Sequence, residues 1–170
     1  PNNPQALYYL GYIYDRVNAH DATEMLESNV VWTMKSSEMM ERLCALENAQ
    51  IGEILTQDPY SKITSVWSGI AMKYYYTDDI DSAKWALEEG KRRGGFGDFI
   101  LAYNRFVLDA MDKKAILLSS GDLNTFPLFY LQVMEDYRTD VSVIDLTMLN
   151  TVWYPQKLRE NKVVKFGMKP

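Results

Sequence analysis

The chain has 170 residues, 47% of them hydrophobic and 24% charged, a composition typical of a folded globular protein rather than a disordered one. Its net charge of −5 disfavours nucleic acid as a partner, because phosphate binding requires a basic surface. The single cysteine excludes a disulfide or a thiolate metal cluster within the chain, and no stretch approaches the roughly 20 apolar residues that span a bilayer. We therefore predict no metal, no cofactor and no transmembrane segment.

Apolar side chains at three- and four-residue spacing predict a run of helices over residues 1–112. The predicted ranges are 4–17, 21–32, 36–56, 59–76, 80–93 and 98–111. Asp58 is the predicted N-cap of the fourth helix, and Pro59 lies in its first turn. The glycine-rich stretch 94–97 is interpreted as a C-cap and hinge, since no strand precedes it and the spacing of a phosphate-binding loop is absent.

Two of the predicted helical hairpins share one pattern of large and small residues. The pattern consists of Leu7, Leu10, Gly11, Tyr14, Ala22 and Leu26 in the first hairpin and of Trp67, Ile70, Ala71, Tyr74, Ala83, Leu87 and Gly90 in the second. This pattern resembles the tetratricopeptide repeat over residues 4–33 and 59–93. The resemblance implies that the small residues let helices approach closely while the aromatic rings fill the space between them.

The inner face of such hairpins is a candidate groove for a peptide. The residues at these positions are Gln5, Tyr8, Tyr12, Asp15, Ser68, Met72, Tyr75 and Tyr76. Tyrosine and methionine supply adaptable contact area for a peptide segment. An alternative remains open, in which the tyrosines cover seams between helices or face the C-terminal part of the chain.

The periodicity changes after residue 112, where short apolar runs replace the helical spacing. Residues 115–118 and 141–146 are predicted strands, and 126–137 is a predicted helix with Pro127 in its first turn. Strand, helix and strand with short joints form a parallel βαβ unit. We further predict a short helix over 152–160 and a third, edge strand over 163–166. The predicted fold is therefore mostly α, with antiparallel helical hairpins over 1–112 and a small α/β module of two or three parallel strands over 113–170.

The carboxyl ends of the two strands carry the best candidates for a small-molecule site. The candidates are Ser119, Ser120, Gly121, Asp122, Asn124 and Thr125 after the first strand, and Asp145, Asn150, Trp153 and Tyr154 after the second. Ligands of open α/β sheets bind at this edge, and an acidic pair with aromatic neighbours suits a carbohydrate. The alternative is that the polar residues cap a helix and shape a turn while Trp153 packs into the core.

Three sequence blocks within the α/β module carry a family resemblance. The blocks are Ser120-Gly-Asp-Leu-Asn-Thr-Phe-Pro-Leu-Phe-Tyr-Leu-Gln132, Tyr137-Arg-Thr-Asp-Val141 and Leu149-Asn-Thr-Val-Trp-Tyr154. They resemble, in the same order, a soluble segment of membrane proteins that carry the domain of unknown function 2723 and are related to protein O-mannosyltransferases. Leu123 and Val152 depart from the polar residues usual in that family. The resemblance implies a shared accessory module in the cell envelope. It carries over no transferase activity, because the membrane part that would bind a lipid-linked sugar donor is not in this sequence.

These observations predict a non-catalytic interaction or scaffold protein of the bacterial envelope or periplasm that binds a protein or glycan partner. The alternative is an enzyme, or a fragment of one, of mannosyl-type glycan transfer, with Asp122 and Asp145 as its acidic pair.

Overall fold

The computed structural model describes residues 3–46, 58–161 and 163, and this part of the chain is mostly helical with one small parallel sheet. Its helices are α1 (Pro4–Asn18), α2 (Val30–Cys44), α3 (Pro59–Tyr76), α4 (Ile80–Arg92), α5 (Asp98–Asp109), α6 (Asp122–Glu135) and α7 (Trp153–Glu160). Its strands are β1 (Ile116–Ser119) and β2 (Ser142–Asp145). The predicted fold class, mostly α with a small α/β unit, is confirmed. No helix in the described ranges is long and apolar enough to cross a membrane.

Helix α1 packs against α2, and Gly11 is the point of close approach. A Cβ atom at Gly11 would lie 2.8 Å from the Met40 Cε atom, and the Ser36 hydroxyl donates a hydrogen bond of 2.8 Å to the Gly11 carbonyl. The absence of a side chain therefore sets the distance between the two helices.

The predicted helix over 21–32 is wrong. The Asp21 carboxylate accepts the Thr23 N–H at 2.7 Å and forms a turn, which a short 3-10 turn at Met25–Glu27 follows. The Asn29 side chain then accepts the Trp32 N–H at 3.2 Å and caps α2. Polar side chains that bond to nearby backbone thus interrupt the apolar periodicity. Residues 36–44 of the helix predicted over 36–56 belong to α2, which begins earlier, at Val30. Residues 47–56 of that prediction lie outside the described ranges.

Helices α3 and α4 begin and end within a residue of their predicted bounds. Asp58 caps α3 through its bond of 3.1 Å from the Ser61 N–H. The C-cap predicted after α4 is also present, since the Gly95 N–H donates to the Gly90 carbonyl at 3.0 Å and Gly94 has a φ of 102°. Buried Phe96 then stacks on Tyr130 of α6 at a ring-centroid distance of 4.7 Å.

Helix α6 begins at Asp122, one turn earlier than predicted, so Pro127 lies inside the helix and not in its first turn. Proline cannot donate to the carbonyl four residues earlier, which here belongs to Leu123. The side-chain amide of buried Asn104 on α5 lies 3.5 Å from that carbonyl. Asn104 therefore supplies the donor that Pro127 lacks, and this hydrogen bond joins α5 to α6.

The sheet consists of β1 and β2 in parallel, with Ile116 opposite Ser142 and Ser119 opposite Asp145. The carboxyl ends of both strands consequently lie side by side, as the sequence predicts. Of the predicted third strand, residues 164–166 lie outside the described ranges.

The hydrophobic core runs without interruption from the helical hairpins into the α/β unit. One cluster of buried side chains includes Met40 and Trp67 of the hairpins together with Leu131 of α6 and Ile144 of β2. Helix α6 is the link, since it contacts α3, α4, α5 and β2. Because the core is continuous, the domain boundary near residue 112 stays a prediction from sequence.

Candidate functional site

A cavity of about 420 Å³ lies between α1, α3 and the loops that follow β1 and β2. Its lining includes Tyr12, Asp15, Arg16, Asp21, Lys62, Ser65, Gly69, Gly121, Asp122 and Asp145. Two residues of the predicted peptide groove, Tyr12 and Asp15, thus share one cavity with three residues of the predicted small-molecule site. We call this space the interunit cavity, because both predicted parts of the chain line it.

The joint between β1 and α6 places Asp122 in the cavity wall. Gly121 has a φ of 88°, a conformation that a side chain would strain, and α6 begins directly after it. The Ser65 hydroxyl of α3 donates a hydrogen bond of 2.6 Å to the Asp122 carboxylate. A carboxylate in the first turn of α6 is also stabilised by the helix dipole. The bond to Ser65 joins the α/β unit to the helical hairpins at the cavity.

The helical wall carries a cluster of charges around one carboxylate, Asp15. The same Asp15 oxygen lies 2.8 Å from an Arg16 nitrogen and 3.5 Å from the Lys62 ammonium, and both Asp15 and Lys62 are buried. The two cations also lie over the half-buried Tyr12 ring, at 5.5 Å and 5.1 Å from its centroid. This arrangement places two cations over one aromatic ring at the wall of the cavity.

The Arg16 guanidinium has N–H groups that take no part in the hydrogen bonds of the described residues. Burial lowers the pKa of its guanidinium, but the neighbouring Asp15 carboxylate outweighs that effect, so the net pKa is raised and the charge is retained. Other guanidinium nitrogens bind Asp15 and the His20 carbonyl, whereas the buried Nε–H has no hydrogen-bond partner within the described residues. A buried donor without an acceptor is costly. The Arg16 side chain is 37% exposed, so its other guanidinium N–H groups are the ones that a ligand in the cavity can reach.

The α/β wall is different, because both oxygens of the buried Asp145 carboxylate accept hydrogen bonds from the protein. Only 3% of Asp145 is exposed, and its carboxylate accepts hydrogen bonds from the Thr125 hydroxyl and, at 2.8 Å, from the Met148 N–H. Thr125 also bonds to Ser119 at 2.9 Å, and the Asp145 N–H donates to the Tyr154 hydroxyl at 3.1 Å. Burial raises the pKa of the Tyr154 hydroxyl, so this group stays protonated. The network fixes β1, β2 and α6 relative to one another.

Four other candidates of the small-molecule site lie away from the interunit cavity. Ser120 and Asn124 are exposed, and the side-chain amide of Asn124 donates a hydrogen bond of 2.9 Å to the Ser120 backbone carbonyl. Both residues line a different groove, between β1 and α5. Asn150 is exposed at the end of a short 3-10 turn. Trp153 is buried, and its indole N–H donates to the Ala22 carbonyl at 2.9 Å, so it packs the α/β unit against the loop after α1.

Three residues of the predicted peptide groove, Met72, Tyr75 and Tyr76, do not line the interunit cavity, and Tyr8 lies one turn before Tyr12 on α1. Tyr8 is 3% exposed, and Met72, Tyr75 and Tyr76 line a second cavity of about 230 Å³ that faces β2 and α7. The Tyr75 ring meets Phe129 edge-on at 5.2 Å, and the Tyr76 ring meets Trp153 at 5.3 Å. Tyr75 and Tyr76 therefore face the C-terminal unit, as the alternative interpretation of the sequence allowed.

Sequence reasoning missed Arg16, Lys62 and Ser65 as residues of the site. One available signal was the spacing of Lys62, Ser65 and Gly69, which places three polar or small residues on one face of α3 opposite its apolar stripe. Within the described ranges, no group of three histidine, cysteine or acidic side chains is placed to hold a metal ion.

The comparisons with known proteins concern the C-terminal part of the chain. The family described as TMEM260-associated domain 2 matches residues 101–164, which run from α5 through α7. A stretch of 56 residues is 41% identical to mouse protein O-mannosyl-transferase TMEM260, and covers 33% of this chain but 8% of that protein. No solved structure matches. The α/β wall of the interunit cavity thus lies in a segment similar to TMEM260-associated domain 2, whereas Tyr12, Asp15 and Lys62 lie outside the matched residues.

Proposed function

We propose that this chain is a non-catalytic binding module that holds a glycan in the interunit cavity, as an accessory part of a system for glycan transfer. The observation that carries the proposal is the convergence of Tyr12, Asp15, Asp122 and Asp145 on one cavity of about 420 Å³. Its volume is in the range of small-molecule sites, and it combines one aromatic face with several polar groups. The mouse relative is named an O-mannosyl-transferase, which suggests mannose as the first sugar to test.

The chemistry of the two walls suits hydroxyl groups. The partly exposed Arg16 guanidinium can donate to a sugar oxygen, and the Asp122 carboxylate can accept from a sugar hydroxyl while it keeps its bond to Ser65. The Tyr12 ring offers a face for the C–H groups of a pyranose ring. We further propose that the α-helical hairpins act as a tetratricopeptide-like support and that the module works in the periplasm or elsewhere in the bacterial envelope, on the basis of the sequence resemblances.

The alternative, a mannosyl-type transferase with Asp122 and Asp145 as its acidic pair, is supported less well. A general acid or base must be able to reach the substrate and exchange a proton with it. Asp145 is almost fully buried, and its carboxylate accepts hydrogen bonds from Thr125 and Met148. We therefore assign Asp145 to the support of the cavity and Asp122 to ligand contact.

Calorimetric titration with a short threonine peptide that carries one α-linked mannose tests this proposal. We expect a dissociation constant on the order of 0.1–1 mM for so small a ligand, and a loss of about tenfold for Tyr12→Ala and for Asp122→Asn. Matched controls are Tyr9→Ala on the exposed side of α1 and Asp81→Asn in the first turn of α4, which should bind like the unchanged protein. Binding that survives both cavity substitutions, or that is absent in the unchanged protein, would contradict the proposal.

A further inference from the structure

The second cavity lies between α3, α6, β2 and α7 and shares no lining residue with the interunit cavity. Its volume is about 230 Å³. In proteins, an apolar cavity of about 150 Å³ is large enough to hold benzene, so this cavity has room for a larger ring system. Five aromatic residues line it: Tyr75, Tyr76, Phe129, Trp153 and Tyr154.

Contacts among these rings hold the wall of the second cavity in place. Tyr75 meets Phe129 edge-on at a centroid distance of 5.2 Å. Trp153 meets Tyr76 and Tyr154 in the same geometry, at 5.3 Å and 5.5 Å. Aromatic rings attract one another in this edge-to-face arrangement, and a further ring inside the cavity can join it. The wall is therefore formed before a ligand arrives, and it suits an aromatic one.

The charge in the wall of the second cavity is already balanced. The Lys157 ammonium lies 2.7 Å from the Asp78 carboxylate and 5.6 Å from the centre of the Tyr76 ring. A cationic ligand would be repelled by this ammonium. An anionic ligand would have to compete with Asp78 and would lose its hydration among aromatic rings. The cavity therefore favours an uncharged ligand.

Gln132 of α6 supplies a hydrogen-bond acceptor at the second cavity. Its side-chain nitrogen donates to the Arg138 and Val141 carbonyls, at 3.0 Å and 2.8 Å. Only the nitrogen end of an amide can donate, so these two bonds fix the orientation of the amide. Both hydrogens of the nitrogen are used, whereas the oxygen has no donor within the described residues. Because Gln132 lines the cavity, its oxygen is available to a donor on a ligand.

We propose that the second cavity binds a small, uncharged aromatic molecule of the indole type, which carries one N–H group on its ring system. The ring packs among the five aromatic side chains, and its N–H donates to the Gln132 oxygen. This ligand site is additional to the glycan site. Because the two cavities share no lining residue, the failure of one proposal leaves the other intact.

The test is an NMR titration of the full ¹⁵N-labelled chain with indole. We expect shifts at the Tyr76, Gln132 and Val143 amides and a dissociation constant on the order of 0.1–1 mM. 1-Methylindole lacks the donor and should bind about tenfold more weakly. Two charged analogues, indole-3-carboxylate and tryptamine, should also bind at least tenfold more weakly than indole.

A substitution that fills the second cavity provides a second measurement. Val143 of β2 is half-buried and lines the cavity, so Val143→Phe should abolish the binding of indole while the variant still unfolds cooperatively on heating. The matched control is Val152→Phe, because Val152 is 88% exposed and lies outside the cavity. This control should bind indole like the unchanged protein.

Three outcomes would overturn the proposal. The first is the absence of shifts at the lining residues with millimolar indole. The second is equal binding of indole and 1-methylindole, or of indole and its charged analogues. The third is indole binding that survives in folded Val143→Phe. If that variant does not fold, the comparison of analogues on the unchanged protein decides.

Discussion

The two walls of the interunit cavity are built on opposite principles. On the α/β wall, the carboxylate of Asp145 accepts two hydrogen bonds and is closed to solvent. On the helical wall, the Nε–H of Arg16 is buried and has no partner within the described residues, and one Asp15 oxygen lies near both Arg16 and Lys62. Buried, hydrogen-bonded groups hold a fold together, whereas partly exposed charges such as Arg16 are available to a ligand. We therefore propose that the wall inside the family-matched segment is the support and that the helical wall carries most of the recognition.

The largest expected effect is that of Asp145→Ala. The substitution leaves the Thr125 hydroxyl and the Met148 N–H without their acceptor in the protein interior, which should lower the free energy of unfolding by about 3 kcal/mol. Urea unfolding provides the measurement, with Asp122→Ala as the matched control. If Asp122→Ala proves more destabilising than Asp145→Ala, the division between support and recognition is wrong.

The second prediction concerns the backbone of the α/β wall. Gly121→Ala places a side chain at a φ of 88° and should cost about 2 kcal/mol of stability. Gly69→Ala on α3 is the control, since no atom lies within 4 Å of the added Cβ and the substitution favours the helix by about 0.5–1 kcal/mol. Thermal unfolding of the two variants should therefore shift in opposite directions, and equal shifts would contradict the assigned backbone strain.

The sequence predicts the two walls to different extents. The ends of both strands lie within one residue of their predicted positions, because short apolar runs are a local signal. The start of α6 does not, since the predicted helix begins at Phe126 and the observed one at Asp122. The site on the helical wall depends on tertiary packing, because Lys62 reaches Asp15 from another helix, 47 positions along the chain. Nor could periodicity show that the Asp21 and Asn29 side chains would divide one expected helix into a turn and the start of α2. Local chemistry decides where elements begin, and packing decides which side chains share a cavity.

A third prediction isolates recognition from stability. Arg16→Met keeps most of the apolar stem but removes the guanidinium and its ion pair with Asp15. Asp15 still has Lys62 as a cationic neighbour in this variant. We expect a loss of stability below about 1 kcal/mol, because the Arg16 side chain is partly exposed and its ion pair is screened by water. The same variant should bind the mannosyl peptide at least tenfold more weakly in calorimetry. A variant that is strongly destabilised, or that binds normally, would remove the distinction between the two walls.

The smallest effect is a pH dependence on the outer surface of the α/β unit. Hydrogen bonds from Arg138 and from the Lys114 N–H hold the pKa of Asp140 at about 2, below its ordinary value of 3.8. Because the folded-state pKa is the lower one, this contribution to stability is present above about pH 4 and is lost as the pH falls toward 2. Melting temperatures from pH 5 to pH 2 should fall slightly less steeply for Asp140→Asn than for the unchanged chain. Parallel curves would show that the carboxylate contributes nothing.

The central claim is that one cavity, lined by both parts of the chain, binds a glycan. The most direct measurement is an NMR titration of the labelled chain with the mannosyl-threonine peptide. The account predicts concentration-dependent shifts at Tyr12, Asp15, Gly121 and Asp122 together, with Met72, Tyr75 and Tyr76 of the second cavity unchanged. Shifts confined to the second cavity, or no shifts at millimolar peptide, would contradict it.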